Sequence, residues 1–204
     1  RNLLAGDRAV YLEKFDATTV VDLIERRRIT TFTATPTALQ RIADLPDIDH
    51  RDLSSLRWIL QGAAMMPPSL ARRWFDLVGP ERFFMAYGMT EGMGLTALRG
   101  DEWLEHPGSV GRGIRGTEVR IIGADGGDLP AGEIGGIHLR SPTAAMYTYR
   151  GASARPAASS DGFATAGDLG WLDSDGYLHI ADRRVDMIIT GGANVFPAEV
   201  ESAL

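Results

Sequence analysis

An aromatic ring, a hydroxyl and a carboxylate follow one another closely in the stretch from Tyr87 to Glu91. The strand-like residues 82–87 lead into it, and ligands of open α/β sheets bind where strands end. Tyr87 could stack on a base, and Gly88 would let the backbone approach a ligand. Thr90 could bond a phosphate oxygen and Glu91 could hold Mg²⁺, which prefers oxygen ligands. A surface turn with one capping threonine is the alternative, and this stretch alone leaves both interpretations open.

The elements before this turn alternate between strand and helix patterns. Helix patterns begin after Asp16, at residue 37 and at Pro67, and the third of them ends at Gly79. Strand patterns cover residues 29–35, 56–60 and 82–87. The alternation predicts a mostly parallel sheet covered by helices, so the fold class is α/β.

The pattern changes after Thr96, where glycines become frequent and the helical period disappears. Strand patterns then cover residues 118–122 and 134–139, and residues 170–181 form a hairpin pattern around Ser174-Asp175-Gly176. This predicts an antiparallel, barrel-like β subdomain, with an exposed loop at residues 152–160. We therefore divide the chain into an α/β part (1–98), a β subdomain (99–182), and the hinge and beginning of a small α+β C-terminal domain (183–204).

Composition narrows the functional classes. The chain has 204 residues, 44% of them hydrophobic and 24% charged, with a net charge of −6, as in a soluble globular protein. The negative charge makes nucleic acid and anionic membranes poor partners, and no apolar run reaches the length of a membrane span. No cysteine is present, which excludes disulfides and thiolate chemistry within these residues and fits a cytoplasmic protein.

Histidine contributes no recognisable metal motif. The four histidines are far apart in sequence and lack ligand spacing, so we interpret them as structural or surface residues. They are His50, His106, His138 and His179.

The stretch Ala86-Tyr87-Gly88-Met89-Thr90-Glu91-Gly92 resembles the central motif of the adenylate-forming superfamily. This superfamily comprises acyl-CoA synthetases, firefly luciferase and the adenylation domains of peptide synthetases. The resemblance implies that Tyr87 packs on adenine beside Gly88. It also implies that Thr90 and Glu91 are catalytic, the first on phosphate and the second on Mg²⁺.

A second segment, Gln61-Gly62-Ala63-Ala64-Met65-Met66-Pro67-Pro68, is similar to the family's Ser-Gly-Gly-Ala-Pro-Leu-Pro-Pro. Its small residues would line the nucleotide site, since small side chains after a strand leave room for a flat ligand. An ordinary strand-to-helix loop is the alternative. The resemblance implies nucleotide contacts at Gly62, Ala63 and Ala64. It also implies a substrate pocket formed by Gln61, Met65, Met89 and Gly92.

Two downstream segments also match. Ala166-Gly167-Asp168 resembles the family's Thr-Gly-Asp, which implies that Asp168 binds the ribose hydroxyls; an aspartate in a β-turn is the alternative. Residues 180–201 resemble the junction of the large and small domains, where Arg183 would reach ribose or phosphate unless it is a surface arginine. The same resemblance implies a hinge at Val185 and Asp186 and a CoA tunnel at Gly191, Gly192 and Ala193.

The resemblance therefore implies an ATP-dependent acyl-CoA ligase with ATP/AMP, Mg²⁺ and CoA as its cofactor and co-substrates. It would activate a carboxylic acid, fatty or otherwise apolar, as an acyl-adenylate. Both ends of the chain look cut, and the phosphate loop and catalytic lysine of the family are missing from it. Two alternatives remain: a non-catalytic adenylate-binding or interaction module, and an adenylation domain that loads a carrier protein. A homodimer is a further expectation.

Overall fold

The computed structural model describes residues 6, 8–89, 92–142, 161–183, 188–190 and 193–195. The described helices are α1 (Ala17–Arg27), α2 (Pro36–Ala43), α3 (Pro68–Val78) and α4 (Gly100–Glu105). The described strands are β1 (Thr31–Ala34), β2 (Trp58–Gln61), β3 (Phe83–Gly88), β4 (Leu95–Arg99), β5 (Arg112–Gly113), β6 (Glu118–Ile122), β7 (Gly135–Arg140), β8 (Asp168–Leu172), β9 (Leu178–Arg183), β10 (Ile188–Thr190) and β11 (Ala193–Val195). No helix in this part of the chain has the length and hydropathy that a membrane crossing requires.

The first sheet has the strand order β1-β2-β3-β4-β5. Its first three strands are parallel, and β4 and β5 are antiparallel additions. Helix α1 begins where predicted, because the Asp16 carboxylate accepts the Thr19 N–H at 2.8 Å. The fully buried side chains of Leu39, Trp74 and Phe83 hold the helices and the sheet together. The predicted helix-covered sheet is confirmed, and the carboxyl ends of β1, β2 and β3 share one edge.

The second sheet is antiparallel, with the order β6-β7-β8-β9. Its own core contains Met93, Ile121, Ile137, Leu139 and Leu178, all buried. The antiparallel prediction is confirmed, but the described strands form an open sheet and do not close it into a barrel. The first sheet ends at Gly113 and the second begins at Glu118; the domain division at residues 98 and 182 stays a prediction.

Helix α4 was not expected from the sequence. It spans only six residues, too few for a helical period to show. Local capping and burial stabilise it instead: the Arg99 N–H donates to Glu102 Oε2 at 2.9 Å, and Trp103 is buried against Phe75. The prediction of a helix-free region after Thr96 is therefore wrong at this point.

The turn between β8 and β9 is organised by Asp173. Its Oδ1 accepts the N–H groups of Asp175 at 3.0 Å and Tyr177 at 2.9 Å. Burial by itself would raise the pKa of this carboxyl group. Four hydrogen bonds to the carboxylate together outweigh this effect of burial and lower its pKa below the ordinary value. Their donors are Tyr177, His106, His179 and Asp175. The turn thus carries an ionised, well-bonded carboxylate at neutral pH.

Candidate functional site

A cavity of about 370 Å³ lies where β2 and β3 end. Its lining includes five of the residues that the sequence analysis assigned to the site: Gly62, Ala63, Gly88, Met89 and Gly92. The glycine at position 88 is needed for packing, because a Cβ there would come within 2.9 Å of Leu95 Cδ1 and 3.1 Å of the Gly94 carbonyl oxygen. Because β2 and β3 end at this cavity, it lies at the sheet edge where ligands of α/β proteins bind.

Tyr87 lies on β3 between Ala86 and Gly88, which both line the cavity, and it contacts Asp168; neither Tyr87 nor Asp168 is among the described residues that line the cavity. The Tyr87 hydroxyl donates a hydrogen bond of 2.7 Å to Asp168 Oδ2, although 81 positions separate the two residues in sequence. Both side chains are half-buried. The aromatic ring expected to pack on adenine and the carboxylate expected to bind ribose are thus in direct contact.

Strand pairing places a third predicted residue next to Asp168. Arg183, the last residue of β9, is the register partner of Asp168, the first residue of β8. The register shifts between Leu169 and Gly170, as at a β-bulge, and bulges often re-aim side chains beside functional sites. A Cβ at Gly170 would overlap the His179 carbonyl oxygen, so glycine is required for this close approach.

The loop after β2 is held by Gln61. This side chain is only 3% exposed, and its amide nitrogen donates to the Ala64 carbonyl oxygen at 2.6 Å. Ala64 and Met65 are exposed, the latter at 46%. Neither Gln61 nor Met65 is among the described residues that line the cavity. Their assignment to the substrate pocket stays a prediction. Met89 lines the cavity, whereas Met93 is buried in the core of the second sheet.

Ala63 has a left-handed backbone, with φ 73°. Its methyl group is disfavoured there, since an L side chain in this region costs roughly 1–2 kcal/mol. The family segment that this loop resembles has glycine at the same position, which removes that strain.

We predict that Ala63→Gly raises the free energy of unfolding by about 0.5–1 kcal/mol, because relief of the strain exceeds the extra chain entropy of glycine. The urea midpoint, followed by circular dichroism, measures the change. Ala64→Gly is the matched control, since Ala64 lacks a positive φ and should lose stability. A loss of similar size in both variants contradicts the prediction.

Six cavity residues were missed by the sequence analysis. They are Ala86, Gly94, Leu95, Arg115, Thr117 and Ser141. Thr117 joins two of the contributing segments, because its hydroxyl accepts the Leu95 N–H at 3.1 Å. Arg115, Thr117 and Ser141 come from chain segments around the second sheet, and no local motif marks them. Only the packing of that sheet against β4 reveals them.

Several predicted residues lie outside the described part of the chain. They are Thr90, Glu91, Val185, Asp186, Gly191 and Gly192, together with the loop 152–160. Ala193 begins β11 and is the register partner of Thr190 in a two-stranded antiparallel sheet with β10. The catalytic, magnesium, hinge and CoA-tunnel assignments of these residues stay predictions.

A small-residue cavity at the carboxyl edge of parallel strands is typical of nucleotide-binding α/β proteins. The sequence profile described as "AMP-binding enzyme" matches residues 2–149, which is well over half of the chain. The chain therefore belongs to the AMP-binding enzyme family of adenylate-forming ligases.

Among curated proteins, a feruloyl-CoA synthase from Amycolatopsis sp is 40% identical over 207 residues, which covers 99% of this chain and 41% of that protein. Among solved structures, the amide bond synthetase of Marinactinospora thermotolerans is 35% identical, with a TM-score of 0.83 over 93% of this chain and 39% of that one. The o-succinylbenzoate CoA synthetase of Bacillus subtilis, solved with ATP and magnesium, is 32% identical with a TM-score of 0.86 over 98% of this chain and 41% of that one. The chain thus spans about two fifths of the length of these relatives.

Proposed function

We propose that this chain forms the adenine-nucleotide site of an AMP-forming acyl-CoA synthetase. The observation that carries the proposal is the 2.7 Å hydrogen bond between Tyr87 and Asp168, because the residues on either side of Tyr87, Ala86 and Gly88, line the cavity at the ends of β2 and β3. The cavity volume, about 370 Å³, falls within the roughly 300–1,000 Å³ of small-molecule sites. The o-succinylbenzoate CoA synthetase described above, which was solved with ATP and magnesium, supports the same assignment.

Each polar group has a role suited to its chemistry. The Tyr87 ring packs on adenine, while its hydroxyl orients Asp168, whose carboxylate can accept two neighbouring ribose O–H groups. Arg183, beside Asp168 in register, adds a cation for ribose or phosphate. Glycines and alanines around the cavity leave room for the flat base.

The proposed reaction has two displacement steps. A carboxylate oxygen of the acid bonds to the α-phosphorus of ATP while the bond to pyrophosphate breaks, which yields the acyl-adenylate and pyrophosphate. The CoA thiol then releases its proton to water, and its sulfur bonds to the acyl carbon while AMP leaves with the oxygen that joined it to the acyl group. Gly191, Gly192 and Ala193 would line the path of CoA, and Val185 with Asp186 would form the hinge between the two steps.

Phosphate chemistry of this kind depends mainly on positioning and charge stabilisation. Magnesium, when bound, neutralises the charge on the phosphate oxygens. Glu91 is the residue proposed to hold it and Thr90 the residue proposed to bond a phosphate oxygen. A carboxylate and a hydroxyl fit that purpose, because Mg²⁺ prefers hard oxygen donors.

The acyl substrate is proposed as an apolar carboxylic acid. Ala86, Met89 and Leu95 give the cavity an apolar wall, and methionine adapts to irregular ligands. An amine acceptor in place of CoA is the second candidate, supported by the likeness to an amide bond synthetase. A non-catalytic adenylate-binding module and a carrier-protein loading domain share the same nucleotide site. Cytoplasmic location, a homodimer and the lack of nucleic-acid binding stay predictions.

Binding tests the nucleotide site directly on the 204-residue chain. We predict that AMP and an acyl-sulfamoyl-adenosine bind at one site per chain in isothermal titration calorimetry. Glu91→Gln should weaken MgATP about tenfold, because a charged magnesium ligand is lost, yet leave AMP affinity unchanged. Absence of AMP binding at millimolar concentration contradicts the nucleotide site. Equal effects on MgATP and AMP contradict the role of Glu91.

A further inference from the structure

Two imidazoles and two carboxylates converge at the far end of the β8–β9 hairpin. His106 Nδ1 lies 2.8 Å from Asp173 Oδ2, and His179 Nε2 lies 3.3 Å from the same oxygen. One ligand atom each of His106, Asp173 and Asp175 falls within 4.8 Å of the others. The folded chain thus brings together His106 and His179, which are 73 positions apart in sequence, around one carboxylate.

Aromatic packing fixes both imidazole rings. His106 stacks on Tyr177 with ring centroids 3.7 Å apart and planes 19° apart, and His179 stacks on Trp171 at 5.0 Å and 9°. The Tyr177 hydroxyl donates to Glu102 Oε1 at 3.1 Å, which ties the stack to α4. The two histidine side chains are only 16% and 13% exposed, so the donor atoms have defined positions.

We propose that His106, Asp173 and Asp175 bind one Zn²⁺ ion, with His179 as the positioning residue for Asp173. Imidazole nitrogen and carboxylate oxygen are ordinary zinc ligands, and neighbouring donors of a tetrahedral site lie about 3.4 Å apart. His106 Nδ1 and Asp173 Oδ2 are 2.8 Å apart, so these two atoms need to separate only slightly for the ion to bind between them. His179, bonded to the Asp173 carboxylate, supplies the outer contact that orients metal ligands in proteins.

This site is separate from the proposed nucleotide site. Asp168 is the first residue of β8 and Asp173 follows its last residue, so the two are about 16 Å apart along an extended chain. His106 follows α4, whereas Asp173 and Asp175 belong to the turn of the second sheet. The ion would therefore join the helix to the hairpin as a structural clamp.

Zinc binding to the chelator-treated 204-residue protein tests the proposal. Titration against a chromophoric chelator should give one Zn²⁺ per chain, and Zn²⁺ should raise the thermal unfolding midpoint. Asp175→Asn should weaken zinc binding at least about tenfold. Its unfolding midpoint without zinc should match that of the unsubstituted protein, because asparagine suits the turn and the backbone N–H of residue 175 still bonds Asp173.

His106→Gln should remove zinc binding, and His50→Gln, at an exposed histidine in another part of the fold, should keep it. Mg²⁺ should not compete, since it disfavours imidazole ligands. Zinc affinity that is unchanged in Asp175→Asn and His106→Gln overturns the proposal, as does a stoichiometry well below one. In that case the cluster serves only to anchor the hairpin on α4.

Discussion

Asp168→Ala is expected to weaken AMP binding about 100-fold. Two charge-assisted hydrogen bonds to the ribose are lost, each worth about 1.5–3 kcal/mol, and part of that loss is offset by water in a half-buried site. Tenfold in affinity corresponds to about 1.4 kcal/mol, so a net loss near 2.7 kcal/mol gives this factor. Calorimetric titration of the folded variant with AMP measures it directly.

Tyr87→Phe separates the orienting hydroxyl from the stacking ring. It removes the hydrogen bond to Asp168 Oδ2 and keeps the ring, so AMP affinity should fall about fivefold, or near 1 kcal/mol. Because the hydroxyl acts through Asp168, the double variant should bind no more weakly than Asp168→Ala alone.

Asp125→Ala is the matched control, since Asp125 is an exposed turn aspartate whose carboxylate accepts the Gly127 N–H. Its AMP affinity should equal that of the unsubstituted chain. Wild-type affinity in Asp168→Ala rules out the ribose role of Asp168. A further loss in the double variant instead means that the Tyr87 hydroxyl acts on the ligand independently.

Gly111→Ala is expected to lower the free energy of unfolding by about 3–5 kcal/mol. Gly111 has φ 92°, and a Cβ built there would overlap the backbone carbonyl of Ala97. Ala97 cannot retreat easily, because β4 pairs with β3 on one side and with β5 on the other. The urea unfolding midpoint measures the loss, which is a large share of the roughly 5–15 kcal/mol of a typical folded protein.

Gly111 lies between the two sheets in a hydrogen-bonded segment, so the substitution should destabilise both of them. Its carbonyl oxygen accepts the Leu178 N–H at 2.8 Å, and its own N–H donates to the buried Ser109 hydroxyl at 2.9 Å. Thr96, on β4, donates to the Val110 carbonyl oxygen at 2.7 Å. Displacing residue 111 would therefore loosen the link between β4 of the first sheet and β9 of the second.

Gly108→Ala is the control in the same loop. Gly108 also has a positive φ, 84°, but a Cβ there would meet nothing within 4 Å. The free energy of unfolding of Gly108→Ala should fall by only about 1 kcal/mol, which is the cost of the left-handed backbone alone. Equal losses in the two variants contradict the prediction, because the overlap with Ala97 would then contribute nothing.

Local sequence predicted most of the elements that position the proposed nucleotide site. The strand, turn and glycine pattern at residues 82–88 and the small residues after β2 lie within a few positions of one another, so local chain geometry brings them together. The sequence predicted the start of α1 after Asp16 for the same reason, since the capping bond joins residues three positions apart. The sequence did not predict helix α4, because a six-residue helix shows no helical period and depends on one capping bond and the burial of Trp103.

The sequence by itself determined the family, the α/β class and the candidate residues of the proposed nucleotide site, since short motifs and local periodicity indicate all three. Only the tertiary structure decided that Tyr87 bonds Asp168, that Arg115 and Ser141 line the cavity, and that His106 and His179 share one carboxylate. These contacts join residues tens of positions apart. They depend on how the second sheet packs against the first, and no local pattern of residues encodes that packing.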